Sequence, residues 1–146
     1  MEERPRLSEF VQLPVAVNVL QGIVDGVYQD KAISRLEAQL VSEEIGTPFY
    51  IISRALIIAV SKDLIKTDDI RLEPIKPLTD KDTVFIDAVH QGMNNSNMME
   101  NFGWQLEDVY KQRRRVYKAL EVSNDYQIVV WEARRRKLEE QHLKNV

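Results

Sequence analysis

Lys111, Arg114, Arg115 and Lys118 recur at intervals of three and four residues, the repeat that stacks side chains along one face of an α-helix. Val109 and Val116 lie seven apart on the opposite side, where they would hold that helix to a core. A row of lysines and arginines does one kind of chemistry: it binds anions. Lysine offers a point charge, whereas arginine offers a planar fork that matches phosphate. Asn95, in the polar run of Asn94 and Asn95, is a turn former and a candidate for one more phosphate or backbone contact. Glu107 and Asp108 work against the row, because carboxylates in a first helical turn suit the helix dipole but repel a nearby phosphate. Other chemistries lack their residues. There is no cysteine, the two histidines, His90 and His142, are far apart, and no phosphate-binding glycine loop or paired-histidine metal motif occurs. The chain is therefore expected to be no enzyme and to need no cofactor or metal.

Several elements must position that row. The spacing predicts a short helix over 96–102, a turn at Gly103 and a long basic helix over 106–120. Met98, Met99 and Phe102 would face inward from the first. Trp104 would plug the corner, and Val109, Val116 and Leu120 would seat the second. A helix over 80–91 precedes them, with Thr79 as its N-cap, and another over 124–141 follows. A short helix, a tight turn and a second exposed helix make a helix-turn-helix. The same apolar spacing also fits a plain helical bundle.

Residues 77–141 resemble the LuxR/GerE family, the output domain of NarL and FixJ, without a gap. Leu78, Thr79, Lys81 and Asp82 match its opening Leu-Thr and basic-acidic pair. Phe85, Ile86 and Val89 match its first helix, and Gly92, Met93, Asn94 and Asn95 its glycine corner. Met98, Met99, Phe102 and Gly103 follow its next helix and turn. Val109, Val116 and Leu120 keep the spacing of its recognition helix, and Val122, Ile128, Val129, Val130 and Ala133 that of its fourth. The resemblance implies a DNA-binding transcription regulator that reads the major groove with 106–120. Asn95, Lys111, Arg114, Arg115 and Lys118 are then its DNA contacts, and double-stranded DNA its partner. There are departures: Asp108 stands where the family has Thr, Gln112 where it often has His, and Ala119 where Lys is frequent, while His90 and Met99 replace Ala. The rival expectation is a module of the same fold that binds a protein instead, such as a regulator, RNA polymerase, or a viral or plasmid assembly partner.

The fold class expected for the whole chain is all-α: an N-terminal helical domain over 1–73 and a four-helix helix-turn-helix domain over 77–146. Pro74 and Pro77 mark the boundary, since neither can continue a helix. The net charge of −3 is unevenly spread. Residues 105–137 hold nine basic and five acidic side chains, whereas 1–76 hold nine basic and twelve acidic. Arg134, Arg135, Arg136 and Lys137, followed by Glu139 and Glu140, read as an exposed helix of mixed charge. Helices are expected over 14–29, over 31–45 and from Pro48 to about 65. Within them, 40–48 with Ser53, Arg54, Ala55 and Leu56 resembles a helix-turn-helix of the winged type. A homodimer is expected, formed by Tyr126, Val130 and Trp131 or by the N-terminal half. The stretch 49–60 is too short to span a bilayer and the N-terminus has no signal-peptide core, so the expected compartment is the cytoplasm, with no membrane partner.

Overall fold

The computed structural model describes residues 14–25 and 48–144 of the chain. Six α-helices and no strand occur among the described residues, so the chain is all-α there. They are α1 (Pro14–Val24), α2 (Pro48–Ser61), α3 (Asp80–His90), α4 (Asn95–Phe102), α5 (Leu106–Leu120) and α6 (Asp125–Lys144). The helix expected over 31–45, the first part of the winged-type resemblance and the extension of α1 to 29 lie outside the described residues.

The ends of the helices follow from short-range chemistry. Thr79 caps α3 by accepting the Asp82 N–H at 3.1 Å, and the Asp82 carboxylate accepts the Thr79 N–H at 2.8 Å in return. Asn94 and Asn97 make the same reciprocal pair at the start of α4, at 2.8 and 3.0 Å. Gly103, at φ 69°, ends α4 in the left-handed region and donates its N–H to the Met99 carbonyl at 3.0 Å. The polypeptide can therefore turn at once and restart at Leu106. The α5 helix ends in a Schellman arrangement, with the Val122 N–H on the Tyr117 carbonyl at 3.0 Å and Glu121 at φ 56°. At Gly92, φ is 87° and a Cβ would stand 2.5 Å from the Tyr50 ring, so only glycine lets α2 and the α3–α4 corner approach this closely.

One apolar core runs through all six helices. Leu20 and Ile23 of α1, Ile52 and Leu56 of α2, Phe85 and Val89 of α3, Met98 of α4, Val109 and Val116 of α5, and Ile128 and Val129 of α6 are all buried in it. The α2 helix packs chiefly on α6, and α6 in turn on α3. The segment 71–77 is a loop, as its two prolines require, yet the helices on either side of it share this core. Polar bonds reinforce the seam: Trp131 Nε1 donates to the Arg71 carbonyl at 3.2 Å, and Lys137 Nζ to the Val60 carbonyl at 2.9 Å. Val130 and Trp131, expected at a dimer interface, are instead buried in the chain's own core. Exposed by only 1% and 2%, these two side chains have no surface left to offer a second copy.

Candidate functional site

The two helices meant to carry the site meet as the sequence requires. Met98, Val109 and Val116 are fully buried beneath them, and Leu120 nearly so. Phe102 and Trp104 are only partly buried. Their rings lie 4.9 Å apart at the rim of the core, and Lys81 Nζ sits 4.9 Å above the Trp104 ring. The corner is thus plugged by a tilted aromatic pair with a cation on it.

Burial of Val109, Gln112, Val116, Ala119 and Leu120 fixes which side of α5 faces solvent. Lys111, Arg114 and Lys118 are exposed there, and none has an ion-pair partner among the described residues. Leu106 and Tyr110 join them at 41% and 44% exposure. Glu107 is exposed nearby, while the Asp108 carboxylate accepts the Gln105 N–H at 3.2 Å and so caps the helix.

Arg115 is placed differently from its neighbours. Its Nε lies 3.2 and 3.4 Å from the two carboxylate oxygens of Asp82. The Asp82 side chain is 1% exposed and that of Arg115 is 59% exposed. Gln112 Nε2 also donates to Asp82. Burial pushes the Asp82 carboxyl up, but hydrogen bonds from the Thr79 backbone, Gln112, the Thr79 hydroxyl and Arg115 outweigh it and hold it below the ordinary carboxylate value.

Asn95 and Arg113 form a second polar knot. Arg113 donates from Nη2 to Asn95 Oδ1 at 2.7 Å and from Nε to Asp125 at 3.1 Å, and its guanidinium lies 5.4 Å over the Phe85 ring. The Tyr117 hydroxyl donates to the same Asp125 oxygen at 2.6 Å, and burial followed by that bond pushes its pKa up. The carboxamide oxygen of Asn95 is thus committed to registering α4 against α5 and α6. Lys111, Arg114, Arg115 and Lys118 share one surface of α5, whereas Asn95 is tied into the packing through Arg113.

The other basic cluster is fully spoken for. Arg134 reaches Thr67 and Asp68, Arg135 reaches Glu132 and Glu139, Arg136 reaches Glu132 and Asp87, and Lys137 reaches Asp63. His90 sits against this cluster, and burial, with Arg136 next, lowers its pKa below the ordinary histidine value. Sequence reasoning missed Asp82, Gln112 and Arg113 as organising residues. The acidic member of the Leu78-to-Asp82 opening was visible, but its partners lie about thirty residues away and carry no local signal. The chain matches no family model, no curated protein and no solved structure among known proteins.

Proposed function

We propose that this chain is a cytoplasmic DNA-binding transcription regulator, without enzymatic activity, that lays α5 in the major groove. The observation that supports it is the row of Lys111, Arg114 and Lys118, exposed and unneutralised on α5, the second helix of the corner at Gly103. Every basic residue of 134–137, by contrast, is paired. Exposed cations without partners keep their full charge for phosphate and release counterions from DNA when they bind. On this reading Lys111 and Arg114 reach base edges, and Arg115 and Lys118 meet phosphates. The likeness of 77–141 to LuxR/GerE domains agrees with this use of α5, and the protein acts as a homodimer on paired half-sites. The dimer contact belongs to surfaces other than Val130 and Trp131.

A gel shift on genomic fragments at about 50 mM and about 200 mM salt tests the reading, since a phosphate-binding face loses affinity steeply over that range. Binding that disappears when Lys111 and Arg114 are both changed to Ala supports it. Absence of binding to any fragment at the lower salt overturns it. The exposed Leu106 and Tyr110 favour a second reading, a module of the same fold that docks a protein such as RNA polymerase on this face. Loss of partner binding on Tyr110→Ala, with no DNA bound by the parent, selects that reading instead.

A further inference from the structure

We infer that Asp82 is a positioning residue for DNA binding, whose buried carboxylate holds Arg115 so that the arginine bridges protein and phosphate. The inference rests on the DNA-binding reading of α5 and adds a residue that never touches the nucleic acid.

Asp82 lies in the first turn of α3 and Arg115 in α5, so the pair crosses between two helices. The carboxylate is supplied by neutral donors, the Thr79 N–H at 2.8 Å and the Gln112 amide, and by one cation, Arg115, through Nε. Contact through Nε leaves the two terminal nitrogens of the guanidinium without a partner among the described residues, on a side chain that is 59% exposed. A guanidinium has donors on more than one edge in fixed geometry, so it can keep the carboxylate on one side and accept a phosphate oxygen on the other. A lysine ammonium carries its three donors on one nitrogen, so it meets both anions at a single point, without the fixed separation that the guanidinium edges give. With its Arg115 end 59% exposed, the pair adds little to folding stability beyond what the neutral donors already give Asp82. Its effect is instead to remove rotamer freedom from Arg115 before DNA arrives, which lowers the ordering cost of binding. The neighbouring Arg114 has no such tether, which separates a fixed phosphate contact from an adaptable one on the same helix.

Charge and positioning predict opposite signs for one substitution. Asp82→Asn removes a negative charge near the phosphate backbone, so simple electrostatics predicts tighter binding. Positioning predicts weaker binding, because Asn keeps the capping oxygen but loses the charge that fixes Arg115. Binding is measured by fluorescence anisotropy on the parent's preferred DNA across a salt series, with helicity and melting checked for each chain. Asp82→Asn and Arg115→Ala are each expected to weaken binding about tenfold. Arg115→Ala should also lower the salt slope by about one. In the Arg115→Ala background, Asp82→Asn should cost nothing further. Arg115→Lys, which keeps the charge and the neutral donors of Asp82 but not the fixed fork, should keep the salt slope and still bind severalfold more weakly than the parent. Asp82→Asn binding as tightly as the parent, or weakening the Arg115→Ala chain by the same factor as the parent, overturns the inference. If Asp82→Asn does not fold, Arg115→Lys decides alone, and parent-like binding by it overturns the inference. A parent chain that binds no DNA removes the reading of α5 itself, whereas a parent that binds while Arg115→Lys is undiminished removes only the role of Asp82.

Discussion

The outer face of α5 and the 134–137 stretch of α6 have nearly the same composition, and the fold treats them in opposite ways. On α6 the arginines and lysine close back onto Thr67, Asp63, Asp68, Asp87, Glu132 and Glu139, so the basic run acts as a set of staples between α6 and the elements around it. On α5, Lys111, Arg114 and Lys118 meet no carboxylate among the described residues. Acidic residues are near enough in sequence, but Asp108 is consumed as a cap and Asp125 by Arg113 and Tyr117. A charge run in a sequence therefore says little until its pairing is known. The unpaired run is the one whose charge is still available to a partner.

The sharpest break of the comparison comes from going through α5 to its underside. Val109 is fully buried, two residues before the exposed Lys111. Val109→Asp places a charge in the core with no partner and is expected to cost roughly 3–5 kcal/mol, the cost of an uncompensated buried charge. Urea unfolding followed by circular dichroism measures it. Because one core joins α1 through α6, the whole described region should lose its cooperative transition together. A parent-like midpoint would show that α5 is turned differently about its axis, and that Lys111, Arg114 and Lys118 do not form its outer face.

The next pair of substitutions tests the two basic regions directly. Glu132 is a buried carboxylate that accepts Arg136 Nε at 3.0 Å and also binds Arg135. Both arginines are 43% exposed and can turn to water when it is lost. Glu132→Gln should therefore lower stability by only about 1–2 kcal/mol, with DNA affinity unchanged. Lys111→Ala with Arg114→Ala should do the reverse. Stability stays within about 0.5 kcal/mol of the parent, as for other open surface sites, while DNA binding falls by roughly 1–3 kcal/mol for each base contact removed. Thermal melts and anisotropy titrations on the same preparations give both numbers. Equal loss of binding from both regions would erase the distinction drawn between them.

What was legible in the sequence was what short-range chemistry decides. Thr79, Gly103, and the heptad pair Val109 and Val116 fixed where α3 begins, where α4 ends and how α5 is turned, and the bounds of α5 match the expected 106–120. The contacts that organise the site were not legible, because they join residues far apart. Arg113 reaches Asn95 and Asp125, and Arg115 reaches Asp82, through geometry that only the packed helices create. Three adjacent arginines, Arg113, Arg114 and Arg115, point to three different environments, which their adjacency in sequence does not signal. The proline segment at 71–77 marked a loop correctly, but prolines report on backbone continuity and not on whether the core continues beyond the loop. Likewise, apolar Val130 and Trp131 signalled burial without saying whether a second copy or the same chain supplies the cover.

His90 extends the comparison to pH. It lies on the α6 side, among Arg136, Glu132, Asp87 and Arg54, and its pKa is lowered in the folded chain, first by burial and then by Arg136. A lowered folded pKa means the unfolded chain binds the proton more readily. Stability is then fully present above the ordinary histidine value of about 6.5 and declines as pH falls below it. His90→Gln should flatten the urea midpoint between pH 7 and pH 5, measured at fixed salt. An unchanged pH profile would place the titration elsewhere.

The smallest expected effect separates two adjacent carboxylates on α5. Glu107 is exposed and unpaired among the described residues, whereas Asp108 accepts the Gln105 N–H at 3.2 Å. Both sit in the first turn, where a negative charge complements the helix dipole by roughly 0.3–1 kcal/mol. Glu107→Gln removes repulsion from the phosphate backbone without removing a cap, so DNA binding should tighten by about twofold with little change in stability. Asp108→Thr gives up a charged cap at the point where α5 leaves the turn. Its relief of repulsion is opposed by a cost of about 0.5–2 kcal/mol in helix stability. The two changes should therefore diverge: Glu107→Gln improves affinity, and Asp108→Thr lowers the melting temperature with no gain. Comparable gains from both would mean that the Gln105–Asp108 bond contributes nothing to the start of α5. A loss of affinity from Glu107→Gln would mean that no anion approaches this end of the helix, and that its exposed Leu106 and Tyr110 face a protein.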